Sequence, residues 1–325
     1  MRTVLSLTLA TTLVALVACG DDGEAGGAAQ DRPQVVVTTS ILGDIVSEVV
    51  GDQAEVEVVM PLGTDPHEFQ TSARQVQAMV EADLLVINGA GFEEGMLDAI
   101  ENAEESGTPW FAFADHVDLI APTDQHDEEE GASAGGDHGE AGDEHQDGGD
   151  DPHIWTDPTR MITAVEAFGE RAAELDGVDA QAVESQAAAY VADLRALDSE
   201  IERTLAAIPA DQRILVTNHE VFGYFADRYG FEIVGAVIPS LTTNAEASAA
   251  DLAELADVVS AERVPAIFAE ATRSTQLADT LAQAVGGDVE VVELFTESLG
   301  APGSGAETYM GMMRTNADLV ADALS

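Results

Sequence analysis

From Val178 to Ile208 the chain has neither Gly nor Pro, and this stretch limits the fold more than any other. Apolar side chains recur at Val183, Ala187, Tyr190, Leu194, Leu197, Ile201, Leu205 and Ile208. Steps of three and four place them on one face of a helix about 45 Å long. Ordinary helices stop well short of that. Short β-branched runs alternate with helical patterns on both sides of it. The spacing predicts an α/β protein of two lobes, each a mostly parallel sheet flanked by helices, joined by one long rigid helix. A coiled-coil arm fits less well, because the stripe lasts only about four heptads and its flanks look globular.

The 325 residues suffice for two domains with real cores. The chain carries 62 acidic side chains against 12 basic ones, all Arg, so nucleic acid and anionic lipid headgroups are poor partners. Such a surface favours cations, and it equally suits a protein solvated in high salt. Charge alone does not decide between them.

Met1-Arg2 and the apolar run Leu5 to Val17 read as a signal peptide over residues 1–18, too short to span a bilayer. Leu16-Val17-Ala18-Cys19 resembles a bacterial lipobox, which implies lipidation of Cys19 and a tether over 19–32 that holds the protein to the outer face of the membrane. Cys19 is the only cysteine, so neither an internal disulfide nor a thiolate metal site is available.

An N-terminal lobe is expected over 33–177, the linking helix over 178–208 and a C-terminal lobe over 209–325. In the first lobe, strands are predicted at Gln34 to Thr39, Val56 to Met60, Leu84 to Ile87 and Pro109 to Ala114. Helices follow from a Ser40 cap to Val50, at Ser72 to Val80 and at Glu93 to Ser106. Asp157 is placed to cap a helix whose first residue is Pro158. Residues 122–151 are Asp, Glu, Gly and His with almost nothing apolar, and read as a disordered surface insertion. Its His126, His138 and His145 are candidates for weak accessory binding of divalent cations; the alternative is a solvated loop. In the second lobe, strands are predicted at Arg213 to Thr217, Glu232 to Ile238, Ala266 to Ala269 and Val289 to Phe295. Helices are predicted from Val221 to Tyr229, from Asn244 or Ala245 to Glu262, from Ser274 to Val285 and from Glu307 to Leu324. Met312 and Met313 in the last read as core.

Three of the seven histidines, His67, His153 and His219, lie beyond predicted strands or in Pro-bounded loops. His67 and His153 close the same tripeptide, Asp-Pro-His, whose Pro stiffens the backbone that presents the imidazole. In open α/β sheets the binding crevice lies at the carboxyl ends of the strands. Three imidazoles and a carboxylate there would suit a divalent metal. Glu297, beyond the last strand, is the candidate fourth ligand, with Glu220 and Glu270 as carboxylates able to orient an imidazole. A single such His is more often a hydrogen-bonded structural residue, and residue chemistry alone does not separate a binding protein from a hydrolase. No His-Glu-x-x-His segment occurs, because Val-Phe-Gly follows His219-Glu220.

Gly63-Thr64-Asp65-Pro66-His67-Glu68-Phe69, Asp151-Pro152-His153-Ile154-Trp155-Thr156-Asp157-Pro158 and Asn218-His219-Glu220-Val221-Phe222-Gly223-Tyr224-Phe225 resemble, in order, three ligand loops of one family. Leu294 to Gly300, with Tyr309, Met312, Met313 and Asn316, resembles its closing segment. The family is that of metal-binding, substrate-binding lipoproteins of bacterial zinc and manganese ABC importers, the ZnuA-like cluster A-I proteins. The resemblance implies a transport protein and no enzyme, with His67, His153, His219 and Glu297 around Zn(II). Glu297 stands where family members usually carry Asp. A His in the third loop resembles the zinc-type members, and Mn(II) is the alternative cargo. It further implies an ABC permease as partner, a metallochaperone as a possible metal donor, and a monomer. A zinc hydrolase and a surface adhesin are the competing readings.

Overall fold

The computed structural model describes residues 32–122, 149–286 and 289–325. Cys19 with nearly all of the expected tether, and His126, His138 and His145, lie outside the described residues. The first lobe runs β1 (Gln34–Val37), α1 (Ser40–Val50), β2 (Glu55–Val58), α2 (Ala73–Glu81), β3 (Leu84–Ile87), α3 (Leu97–Glu105) and β4 (Trp110–Ala112). Two helices follow, α4 (Pro158–Ala173) and α5 (Ala180–Leu205). The second lobe runs β5 (Ile214–Thr217), α6 (Gly223–Tyr229), β6 (Glu232–Ala236), α7 (Ala249–Glu262), β7 (Ala266–Glu270), α8 (Gln276–Val285), β8 (Glu290–Leu294) and α9 (Tyr309–Leu324).

The two lobes repeat one topology. Strand order is β2-β1-β3-β4 in one sheet and β6-β5-β7-β8 in the other, and every neighbouring pair is parallel. The central strands are buried on both faces, which is why they read as unbroken runs such as Val35-Val36-Val37 and Leu84-Leu85-Val86. In each sheet the connections reverse direction beside the first strand, so a crevice opens at the carboxyl ends of β1 and β3 and again at those of β5 and β7.

The helix α5 has 26 residues, about 39 Å at the usual rise. It is shorter than the expected span because Asp179 caps its start through the amides of Gln181 and Ala182, and the chain turns after Leu205. Ile208 stays buried in that turn. The expected stripe is the buried face, from Val183 to Leu205, and it packs on α1, α4 and α9. One continuous apolar cluster therefore joins the inner faces of both sheets, while smaller clusters lie under α2 and α3 and under α7 and α8. Asp198 on α5 accepts from both arms of Arg228, at 2.9 and 2.5 Å, and from Tyr229 Oη, fastening α6 to the same helix.

Other helix starts moved for local reasons. Thr39, one residue before the expected Ser40, caps α1 through the amide of Leu42. Glu93 does not begin a helix: its carboxylate is buried and accepts from Asn88 N at 2.6 Å, Thr38 Oγ1 at 2.8 Å and Gly89 N at 3.2 Å. Ser248 and Asp251 form a capping box that starts α7 at Ala249, and Asn244 is used elsewhere. Asp157 and Pro158 begin α4 as the sequence indicates.

Candidate metal centre

His67, His153, His219 and Glu297 each offer a ligand atom, and these atoms all lie within 4.8 Å of one another. All four residues are buried. His67, His219 and Glu297 each lie beyond the carboxyl end of a strand. His67 follows β2 and its extension, where Val59 and Met60 still donate to Val37 O and Thr38 O. His153 lies just before the turn Ile154–Thr156 that leads into α4, where the amide of Asp151 donates to Ile120 O. His219 follows β5, with its carbonyl accepting from Thr217 Oγ1 at 2.7 Å. Glu297 follows β8.

The two Asp-Pro-His segments fold alike. In each, Asp Oδ1 accepts the His amide at 2.9 Å, a two-residue turn that fixes the ring's direction. They then diverge. Asp151 Oδ1 also meets Nδ1 of His153 at 2.7 Å. Asp65 instead turns Oδ2 to the second lobe, and Nδ1 of His67 meets Glu94 Oε1 at 3.0 Å. Nδ1 of His219 meets Glu270 at the end of β7. Glu220 stands next to His219 in sequence, with its backbone amide donating to Ser240 O. Asp151 and Glu94 were not anticipated. Asp151 was legible inside its motif, whereas nothing in the Glu93-Glu94 pair marks which one faces the imidazole. With each Nδ1 held by a carboxylate, each Nε2 is left facing the common centre.

The loops are backed by further polar contacts. Trp155 Nε1 donates to Thr296 O at 2.7 Å, and Asn316 on α9 brackets Phe295 through N–H to Oδ1 at 3.0 Å and Nδ2 to O at 2.6 Å. Together they set the backbone just before Glu297. Asn88 Nδ2 donates to Pro152 O at 2.9 Å, beside His153. Gly223 opens α6 against Asp151, and a Cβ there would collide with Asp151 Oδ2.

At the centre, Glu297 Oε1 lies 2.9 Å from His67 Nε2, 3.3 Å from His219 Nε2 and 3.8 Å from His153 Nε2. His153 and His219 present Nε2 atoms 3.3 Å apart. These are contacts of charge and proximity. His67 Nε2 and both oxygens of Glu297 are buried without a hydrogen-bond partner. A buried carboxylate left that way is costly unless a cation pairs with it. A tetrahedral ion with nitrogen ligands at 2.0–2.1 Å would set its ligand atoms about 3.3 Å apart, and the distances here straddle that edge.

The groups shift one another strongly. Burial pulls the His67 imidazole down, but its contacts with Glu297 and Glu94 outweigh burial and raise it to about 9. Burial likewise opposes His219, and the charges of Glu270 and Glu297 carry it well above its ordinary value. His153 is lowered, because burial outweighs Asp151. Burial would raise Glu297, and the charge and contacts of His219 and His67 hold it well below the usual carboxylate range. The cluster can thus hold protons on imidazoles beside an ionised carboxylate, or exchange them for a metal cation.

Comparison with known proteins gives a consistent family. The profile described as ZnuA, zinc-uptake complex component A periplasmic, matches residues 35–323. Manganese-binding lipoprotein MntA of Halalkalibacterium halodurans is 30% identical, covering 96% of this chain and 96% of its own. Metal ABC transporter substrate-binding lipoprotein FimA of Streptococcus parasanguinis is 28% identical over 100% of this chain and 99% of its own. Among solved structures, the periplasmic zinc binding protein TroA from Treponema pallidum superposes with a TM-score of 0.77 at 29% identity, covering 90% of this chain and 99% of that one.

Proposed function

The chain belongs to the ZnuA family of periplasmic zinc-uptake components, and from that premise we propose that His67, His153, His219 and Glu297 capture Zn²⁺ outside the cell membrane for delivery to an ABC permease. Members of this family serve metal ABC importers as substrate-binding proteins and are not enzymes, so the cluster's task is binding and release. The observation that carries the reading is the buried Glu297 carboxylate, with neither oxygen hydrogen-bonded, facing three imidazole Nε2 atoms.

Zinc is favoured over manganese by donor chemistry. Three imidazoles and one carboxylate match the nitrogen-rich, four-coordinate preference of Zn²⁺, whereas Mn²⁺ prefers oxygen and binds such sites more weakly. Manganese is kept as the second reading because MntA, a manganese-binding protein by name, is among the similar chains.

Capture begins with the acidic exterior concentrating cations. The ion then exchanges its water for ligands that are buried and already oriented. Carboxylates on all three Nδ1 atoms keep the Nε2 lone pairs aimed inward and raise their basicity. Anchoring at the membrane rests on the lipobox reading of Cys19, which lies outside the described residues.

Metal analysis of the purified protein tests the function, followed by titration with Zn²⁺ and Mn²⁺ in competition. The expected outcome is one tight equivalent of Zn²⁺ that displaces Mn²⁺, abolished in His219→Ala. Preferential retention of Mn²⁺ would replace zinc by manganese, and the absence of any tight site would end the transport reading.

A further inference from the structure

His153 and His219 are oriented by carboxylates that are themselves buried, Asp151 and Glu270. His67 is held differently. The side chain of its partner Glu94 is 34% exposed, and the other Glu94 oxygen accepts from Asn244 Nδ2 of the second lobe at 2.9 Å. Asn244 Nδ2 also donates to His67 O at 2.9 Å. Just upstream, Asp65 Oδ2 accepts from Thr243 Oγ1 at 2.7 Å and from Arg273 Nη1 at 2.8 Å, both in the second lobe. The other arm of Arg273 pairs with Glu68 Oε1 at 2.9 Å. One guanidinium from the second lobe therefore bridges the carboxylates on either side of His67. Next to it lies a cavity of about 340 Å³, lined by Asp65, Glu68 and Arg273 and reaching inward to the buried Asn218, the neighbour of His219.

We propose that the metal ion enters and leaves on the His67 side, and that Arg273 is the positioning residue that sets how long it stays, by latching the 65–68 loop to the second lobe. The proposal rests on the metal-capture reading. Arg273 ligates nothing. Its two arms satisfy one buried and one exposed carboxylate at once, a geometry that the guanidinium fork supplies and an ammonium does not. Opening the cleft here removes two of the donors on Asp65, Glu68 loses its cation, and Glu94 loses Asn244. These losses come together, so the loop is either latched or free, and only the free loop carries His67 away from the ion. Because Arg273 and Glu68 reach water, salt weakens the latch.

The test uses the full chain loaded with one equivalent of Zn²⁺, with release followed by stopped flow into a chromophoric chelator. Arg273→Gln is expected to release Zn²⁺ about ten-fold faster or more, with the visible spectrum of the Co²⁺-substituted protein unchanged because no ligand has been touched. Arg273→Lys should fall between. Raising NaCl from about 0.1 to about 1 M should hasten release from the wild type and leave Arg273→Gln nearly unaffected. A metal-independent measurement accompanies it: amides of residues 65–69 should exchange hydrogen faster in the chelator-treated variant than in the chelator-treated wild type. Release within about two-fold of wild type, or an altered Co²⁺ spectrum, overturns the latch. A wild type that takes up no Zn²⁺ refutes the transport reading instead, and the exchange comparison then decides the latch alone.

Discussion

The identical tripeptides at 65–67 and 151–153 show what a residue's sequence context does and does not determine. Both Asp side chains make the same turn onto the His amide, and that much is local. Only Asp151 also orients its imidazole, because the second lobe supplies Arg273 and Thr243 to compete for Asp65. The three histidines were legible from loop position and motif. Asn244 and Arg273 were not, since their roles exist only once the lobes meet, and Glu94 was not, since nothing separates it in sequence from its buried neighbour Glu93. At this scale the protonation of His67 gives a prediction. With its imidazole raised to about 9, well above the usual 6.5, His67 carries a proton at neutral pH that an entering cation must expel. Zn²⁺ affinity should therefore climb with pH until about 9, and titration calorimetry should show at least one proton released per ion through enthalpies that differ between buffers. The sign for stability is opposite. A raised imidazole stabilises the metal-free fold fully below pH 6.5 and loses that contribution as pH rises through about 9. The rise in Tm on adding Zn²⁺ should accordingly be larger near pH 9 than near pH 6.5, and buffer-independent enthalpies with an equal rise at both would contradict the assignment.

Among the elements, α5 was legible because its burial is one-sided over its whole length, and its capping Asp179 lies just before the periodic stripe. Helix starts were less so. Thr38-Thr39-Ser40 offers three consecutive hydroxyls, any of which can cap, and tertiary contacts choose among them: Thr38 is taken by Glu93 and Ser40 donates to or accepts from Ser298 across the cleft at 3.3 Å. Thr39 is left to cap α1. The start of α7 moved for a related reason, since Asn244 is drawn to His67 and Glu94. The contact of α4 with α5 gives the prediction at this scale. A Cβ on Gly169 would stand 2.6 Å from that of Ala187, so the two helices approach as closely as they do because Gly169 has no side chain. Gly169→Leu should force them apart and cost about 1–3 kcal/mol in denaturant unfolding, with m unchanged. Because α5 joins both lobes to one core, the variant should lower a single cooperative transition. A loss confined to a separate early transition would show that the lobes do not share their core.

For the whole molecule the dominant quantity is charge, −50 over the full sequence. Favourable pairs do little to offset it. Arg32–Glu55, Arg195–Glu166 and Arg314–Glu200 are all largely solvent-exposed, and such pairs contribute at most about 1 kcal/mol each. The folded chain therefore carries uncompensated repulsion that the more expanded unfolded chain relieves, and screening it stabilises the fold. Raising NaCl from about 0.1 to about 1 M, which shortens the Debye length from about 10 to about 3 Å, should raise Tm by several degrees. The same titration should shorten the residence of bound Zn²⁺, because the Arg273 latch is an attraction and screening weakens it. Most explanations of salt sensitivity, such as general tightening or general loosening of the protein, move stability and residence time in the same direction. Only repulsion spread over the surface together with attraction focused at the cleft moves them apart. A Tm that falls or stays flat while release still quickens would locate the salt effect at the cleft alone, and would mean that the acidic exterior already sits far enough from itself to cost the fold nothing.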